Sequence, residues 1–365
     1  MPRRFFPLYL VACLALASVA TPTAAPVVPV VPAQPPAPIS ADDDLIARFD
    51  TLVAGPLPGS LALGEAGNRP KRAVPDMVID GRLNADVEFP RGATGAMYIG
   101  QFDGSPAIFT RSGTYLDASV MTAGDIRVRS FDGVARDVAG PAPAEWSPAR
   151  TQRRARSVPP GHREDPAAYN LRFTFFKHDD LADTSLREIH SRYVAWWVGD
   201  LSARVLPTYP MRVSYADRVP WLTDMMYGQD SSLHDLDRVL KTINDFYGLA
   251  FEKTFKRKYI LLTAERPMAG TTGVAFQGGN EAIASVLGRS RIVAHELGHM
   301  LGATHDAAEA QGWFGCETNM VAKASAVRDD CMRYSKANER AIRSYMRHGP
   351  HPEKLREMAD LNDGQ

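Results

Sequence analysis

Residues 295–306 read His-Glu-Leu-Gly-His-Met-Leu-Gly-Ala-Thr-His-Asp: three imidazoles, a carboxylate beside the first, and a glycine between the second and third. Residues four apart share a helix face, so His295 and His299 can both reach one metal ion. Glu296 falls one position round, off the ion but within reach of a water held there. Gly302 is placed to end the helix, because a residue without Cβ takes φ > 0 and lets the chain turn sharply. The turn would bring His305 back as a third ligand. Three protein ligands leave one tetrahedral position open, which is the arrangement of a catalytic zinc rather than a structural one.

The extended string resembles the metzincin clan of zinc endopeptidases. That resemblance implies a methionine turn beneath the metal. Met320, within Cys316-Glu317-Thr318-Asn319-Met320-Val321-Ala322, is its candidate, the alternative being an ordinary core methionine. Four features look most like the adamalysin/reprolysin-type branch. They are the His305-Asp306 pair, Cys316 just before Met320, Tyr334-Ser335 ahead of a helix, and Gly273-Val274-Ala275-Phe276 upstream. Ala322 stands where astacin-like and serralysin-like enzymes carry a tyrosine, so no tyrosine ligand is implied. The likeness spans roughly residues 168–348 and is densest from about 258 to 320. A bacterial-style leader and few cysteines depart from the animal members, which leaves substrate habits open.

The resemblance implies an α+β, metzincin-like catalytic domain. It would have a twisted mixed sheet with two backing helices, a zinc helix at the cleft floor and a small C-terminal lobe with the Met-turn, preceded by a small β-rich domain. The implied activity is hydrolysis of extended protein or peptide substrates with one catalytic Zn2+, calcium being left open. Zinc lowers the pKa of water from about 15.7 toward about 7. Glu296 would accept the proton of that water as it attacks a peptide carbonyl, then pass it to the leaving amine. Substrate would add a strand along residues 273–277, with Gly273, Val274, Ala275 and Phe276 as the binding edge. Trp313 and Phe314, between Asp306 and Met320, would wall a specificity pocket. Two rivals are a catalytically idle zinc-binding adhesion module, in which Glu296 would have no task, and an enzyme of the same chemistry restricted to one protein target.

Of 365 residues, 42 are basic and 42 acidic, so no charge excess points to nucleic acid. Met1-Pro2-Arg3-Arg4, the apolar run Phe5 to Ala20 and the small residues Ser18-Val19-Ala20 make residues 1–20 a signal peptide. The run is short for a stable membrane span and contains Pro7. The chain is therefore expected to be secreted or periplasmic. Leu10-Val11-Ala12-Cys13 also resembles a bacterial lipoprotein box, which would anchor the chain through Cys13 instead. If Cys13 leaves with the leader, Cys316 and Cys331 remain, an even count that in an exported chain argues for a disulfide over two free thiols. Its closed loop would stabilise the fold by about 3 kcal/mol.

Composition divides the rest. Residues 21–75 form a Pro/Ala-rich linker and disordered segment, with order beginning near Asp76. Residues 76–140 carry short β-rich runs broken by glycine turns. They would form either a purely structural domain or a propeptide that covers the cleft, making the chain's own N-terminal domain a candidate inhibitor. Residues 141–166 are an Arg/Pro linker in which Arg150, Arg153, Arg154 and Arg156 mark either a maturation site or a solvated spacer. No cysteine precedes Cys316 after Cys13, so latency would need another ligand, with His162 and Asp165 in position. Residues 167–349 form the zinc metallopeptidase domain and 350–365 a charged tail. Within that domain the pattern predicts strands at 171–175, 211–215, 258–263 and 271–276. It also predicts a helix capped by Ser185 with Glu188, one from Ser232 to Gly248, and a last one capped by Ser335. His178, His190, His234, His348 and His351 read as surface or capping residues.

Overall fold

The computed structural model describes residues 41–63, 76–90, 93–133, 171–247, 254–286, 288–310, 315–323, 325 and 327–350. The leader with Cys13, the Arg150–Arg156 cluster, His162, Asp165, Gly248, Trp313, Phe314, His351 and residues 351–365 lie outside them.

Order begins earlier than Asp76. Helix α1 (Ala41–Ala54) opens on Asp42, Asp43 and Asp44, which complement the positive end of its dipole. Leu45, Ile46 and Phe49 form its buried face. Phe49 packs edge-on to Tyr98 and against Phe109. The proline-rich composition upstream hid a short apolar stripe that pays for its order only through tertiary packing.

Strand β1 (Gly59–Leu61) pairs with β2 (Met77–Phe89), whose Met77, Ile79, Leu83, Ala85, Val87 and Phe89 are buried. Register shifts near Gly81 and between Arg82 and Asp86 interrupt its alternation, which is why it was not evident in the sequence. Strands β3 (Ala93–Phe102), β4 (Ser105–Ser112), β5 (Tyr115–Thr122) and β6 (Asp125–Asp132) continue as an antiparallel meander.

The second half starts with β7 (Leu171–Lys177) and the long helix α2 (residues 186–205), capped by Ser185 Oγ accepting from Glu188 N at 3.0 Å. After β8 (Met211–Asp217) come α3 (Ser232–Tyr247), β9 (Arg257–Thr263), β10 (Gly273–Ala275) and β11 (Glu281–Ser285). The chain ends with α4 (Ile292–Met300), the short pair β12 (Cys316–Glu317) and β13 (Asp329–Asp330), and α5 (Lys336–His348). The strand at 271–276 is shorter than expected, and β11 went unpredicted.

One mixed sheet runs β10-β11-β9-β7-β8-β2-β3-β4-β5-β6, with β1 on β2. Strand β8 is hydrogen-bonded on both sides, in parallel to β7 and in parallel to β2 over Ala85↔Met211 to Glu88↔Ser214. The sheet therefore crosses the boundary expected between the β-rich segment and the later α+β region. Alternation sends Phe173, Phe175, Ile260 and Leu262 to the face covered by α2 and α4. Phe176, Tyr259, Leu261 and Ile283 face α3. The α2 face also takes Leu83, Val87, Met97 and Ile108 from the front strands, so one core serves both halves. Among the described residues no helix is long and apolar enough to cross a membrane.

Candidate metal centre

Helix α4 carries His295 and His299 one turn apart and stops where expected. Gly302 takes φ 85°, its N–H donates to His299 O at 2.9 Å, and Ala303 N donates to Gly298 O at 2.9 Å. These bonds satisfy carbonyls of the last turn. The chain then folds back, and the buried Asn338 of α5 grips Thr304 at both backbone groups, at 2.9 and 3.1 Å. That grip sets His305 at the start of a short turn, His305–Ala307.

The three imidazoles converge. Nε2 of His299 lies 3.2 Å from Nε2 of His295 and 3.0 Å from that of His305, and the remaining side of the triangle is 3.0 Å. Their outer nitrogens define the proton positions. His295 Nδ1 faces Asn319 O at 2.8 Å, and a carbonyl only accepts, so Nδ1 holds the proton. His299 Nδ1 faces Gln277 Oε1 at 2.9 Å. The amide orientation follows from its other end, where Gln277 Nε2 donates to Ala303 O at 2.9 Å. Both rings therefore present bare Nε2 lone pairs to each other, a repulsive arrangement that a cation between them relieves. A tetrahedral zinc with bonds of about 2.0–2.1 Å sets its ligand nitrogens about 3.3 Å apart. The observed triangle fits such an ion to within a few tenths of an ångström. These three residues form a cluster able to hold a metal ion.

Burial keeps the rings neutral, as ligands must be. Desolvation lowers His295 to about 4 and His299 to about 3, the latter with help from its two histidine neighbours. His305 is lowered by the same cause. Glu296 is 5% exposed, and desolvation raises its carboxyl to about 8. Its carboxylate lies against Gly273 so closely that a Cβ there would come within 2.3 Å of Oε1. Gly273 thus admits Glu296 beneath the edge strand.

A groove of about 1070 Å³ opens over this cluster. Gly273, Val274 and Ala275 of β10 line it, together with Gln277, His295, Glu296, His299 and His305. Phe276 does not. Its ring sits 5.2 Å from that of His234 on the α3 face of the sheet, the face that Val274 shares and that Gly273 and Ala275 turn away from.

The floor beneath α4 is close-packed. Met320 is fully buried, and its Sδ would lie 2.4 Å from a Cβ at Gly298. Tyr334 lies beside it, donating to Ala294 O at 2.6 Å and accepting from Trp197 Nε1 of α2 at 2.6 Å. The Met320 loop is closed by the Cys316–Cys331 disulfide. It is braced by an ionic cluster in which Arg291 meets Asp330 at 3.2 Å and Glu317 at 3.4 Å, and Arg289 meets Asp330 at 3.1 Å.

The chain matches no family profile and no curated protein sequence. Among solved structures it is similar to metalloproteinase-II from Bacteroides fragilis, at 15% identity and TM-score 0.47, covering 73% of this chain and 86% of that one.

Three residues that matter to this geometry escaped the sequence reading. Gln277 was expected only as the end of a substrate strand, and Asn338 was not singled out. Lys258 is fully buried and donates to Gly279 O at 2.6 Å, Met300 O at 2.8 Å and Tyr345 Oη at 2.8 Å, pinning the C-terminal end of α4. A lysine running directly into the apolar stretch 259–262 was the one available signal. His190 is corrected too. Far from being surface or capping, it is fully buried between α2 and the front strands, bonded to Thr110 Oγ1 at 3.0 Å and Tyr215 Oη at 2.8 Å. His178 does cap, accepting from Asp180 N, while His234 and His348 are exposed.

Proposed function

We propose that this chain is a zinc-dependent endopeptidase of the metzincin type, acting on extended polypeptides. The observation that carries the reading is the convergence of three Nε2 atoms at 3.0–3.2 Å, those of His295 and His299 bare, beside the buried Glu296 carboxyl at the foot of an edge strand. His295, His299 and His305 would hold Zn2+. When bound, the ion supplies Lewis acidity toward a peptide carbonyl and toward water. The raised value of about 8 belongs to the metal-free site, and a cation beside the carboxyl favours its ionised form. So ionised, Glu296 accepts the proton of the attacking water at a carboxylate oxygen and returns it to the nitrogen of the leaving amine. Its low exposure keeps bulk water from competing for that proton.

Strand β10 pairs with β11 on one side through Gly273↔Ala284 to Ala275↔Ala282, and among the described residues its other side is the edge of the sheet. An extended substrate laid there gains backbone hydrogen bonds, with Val274 and Ala275 shaping the wall of the groove. Met320 takes the part of the Met-turn. It fills the space under Gly298, while the carbonyl of the preceding Asn319 orients His295. The leader and the disulfide fit an exported enzyme.

The test is new-terminus mass spectrometry on a proteome-derived peptide library, with purified zinc-loaded wild type beside Glu296→Ala. Cuts confined to the wild type and removed by a chelator are expected. A metal-loaded wild type that cuts nothing would replace this reading with an idle zinc-binding module.

A further inference from the structure

The turn that leaves β10 is tied to the metal helix at several points. Gln277 Oε1 accepts from His299 Nδ1 at 2.9 Å, and its Nε2 donates to Ala303 O at 2.9 Å. Gly278 N donates to His299 O at 2.8 Å. Gly278 O accepts from Tyr345 Oη at 2.8 Å, and Gly279 O from Lys258 Nζ, which also holds Met300 O. Gln277 is the member of this group whose side chain meets both a ligand imidazole and the backbone between His299 and His305. A primary amide suits the place, because it accepts at one atom and donates at the other.

We propose that Gln277 is the positioning residue of the metal centre, fixing the tautomer and orientation of His299 through its carbonyl oxygen and the approach of His305 through its amide nitrogen. The inference rests on the metal-centre reading above and goes beyond it, since it assigns the residue after the substrate strand to the metal rather than to the substrate. A group that accepts the outer N–H of a ligand imidazole holds the ring and raises its basicity, and its loss costs metal affinity about 10–100-fold. The same side chain joins β10, where substrate would bind, to the ligand that polarising chemistry depends on.

Chelator competition with Co2+ and with Zn2+ tests this, alongside the thermal midpoint of each metal-free protein. Gln277→Met should bind either ion about 10–100-fold more weakly. Gln277→Glu keeps an acceptor for His299 Nδ1 but loses the donor to Ala303, so its loss of affinity should be clearly smaller than that of Gln277→Met. A merely structural role would instead lower the thermal midpoints of both variants together and leave their metal affinities alike. Should Gln277→Met not fold, Gln277→Asn, one methylene shorter and out of reach of Nδ1, carries the same outcomes. Equal dissociation constants for wild type and Gln277→Met, or an equal loss in Gln277→Met and Gln277→Glu, overturn the inference alone. A wild type that takes up neither ion overturns it together with the metal-centre reading.

Discussion

His190 is fully buried and His299 half-buried, both rings are neutral, and they are used in opposite ways. At His190, between α2 and the front strands, each nitrogen meets a hydroxyl that can donate or accept, and the ring is flanked edge-on by Phe89 and Tyr215. Around it Asp117 accepts from Arg187 at 2.6 and 2.7 Å and from Ser191 at 2.9 Å, and Ser119 donates to Ser191 O at 2.6 Å. Arg187 also reaches Asp132. Every polar group of that network has a partner of opposite character. At His299 one nitrogen is satisfied by Gln277 and the other confronts two more ring nitrogens. Burial depresses the pKa at both, to about 4 and about 3, so neither burial nor a perturbed pKa separates structure from function here. The separating feature is an unprotonated lone pair turned toward other imidazoles rather than toward a hydroxyl.

The contrast breaks most visibly on metal content. His299→Ala should lose stoichiometric zinc, read by mass spectrometry of the intact native protein or by atomic absorption. His190→Ala should retain it while losing about 2–3 kcal/mol of stability in urea unfolding. Zinc loss in His190→Ala would erase the distinction. Glu296→Gln separates holding the metal from using it. Its zinc content should equal the wild type's, and kcat/KM on a cleaved peptide should fall by about 10²–10⁴-fold. On the front side, Asp117→Ala strands buried donors and should cost about 3–5 kcal/mol with the zinc dissociation constant unchanged. A shifted dissociation constant would mean that the two regions are energetically coupled through α2.

The mildest effect is on pH. His190 is neutral in the folded state down to about 4, whereas in the unfolded chain it takes a proton near 6.5. Its contribution is therefore complete above about 6.5 and is lost as pH falls toward 4, amounting to at most about 3 kcal/mol. Urea unfolding of metal-free wild type and His190→Gln across that window should converge as the pH drops. Parallel curves would show that another group carries the acid sensitivity.

What could be read from the sequence was local. The spacing of His295, His299 and His305 and the stop at Gly302 sit within twelve residues, where helix period and a glycine turn decide the geometry. The Ser185 and Ser335 caps were equally legible, since each bonds an N–H three residues on. What was missed is non-local. The Gln277–His299 contact spans 22 residues, Asn338 meets Thr304 across 34, and Ala85 pairs with Met211 from the other half of the chain. No periodicity encodes such partners. His190 was misread because polarity alone gives no hint that Thr110 and Tyr215 wait for it in the core.

Strand β8 is sewn to β2 on one side and β7 on the other, and this changes what proteolytic maturation could mean. A nick among the arginines of residues 150–156 would sever the chain without touching a single ladder bond between the front strands and the rest. The front strands would stay as a subunit, and among the described residues none of them lines the groove. Two bands on a denaturing gel would then elute from a native sizing column as one species.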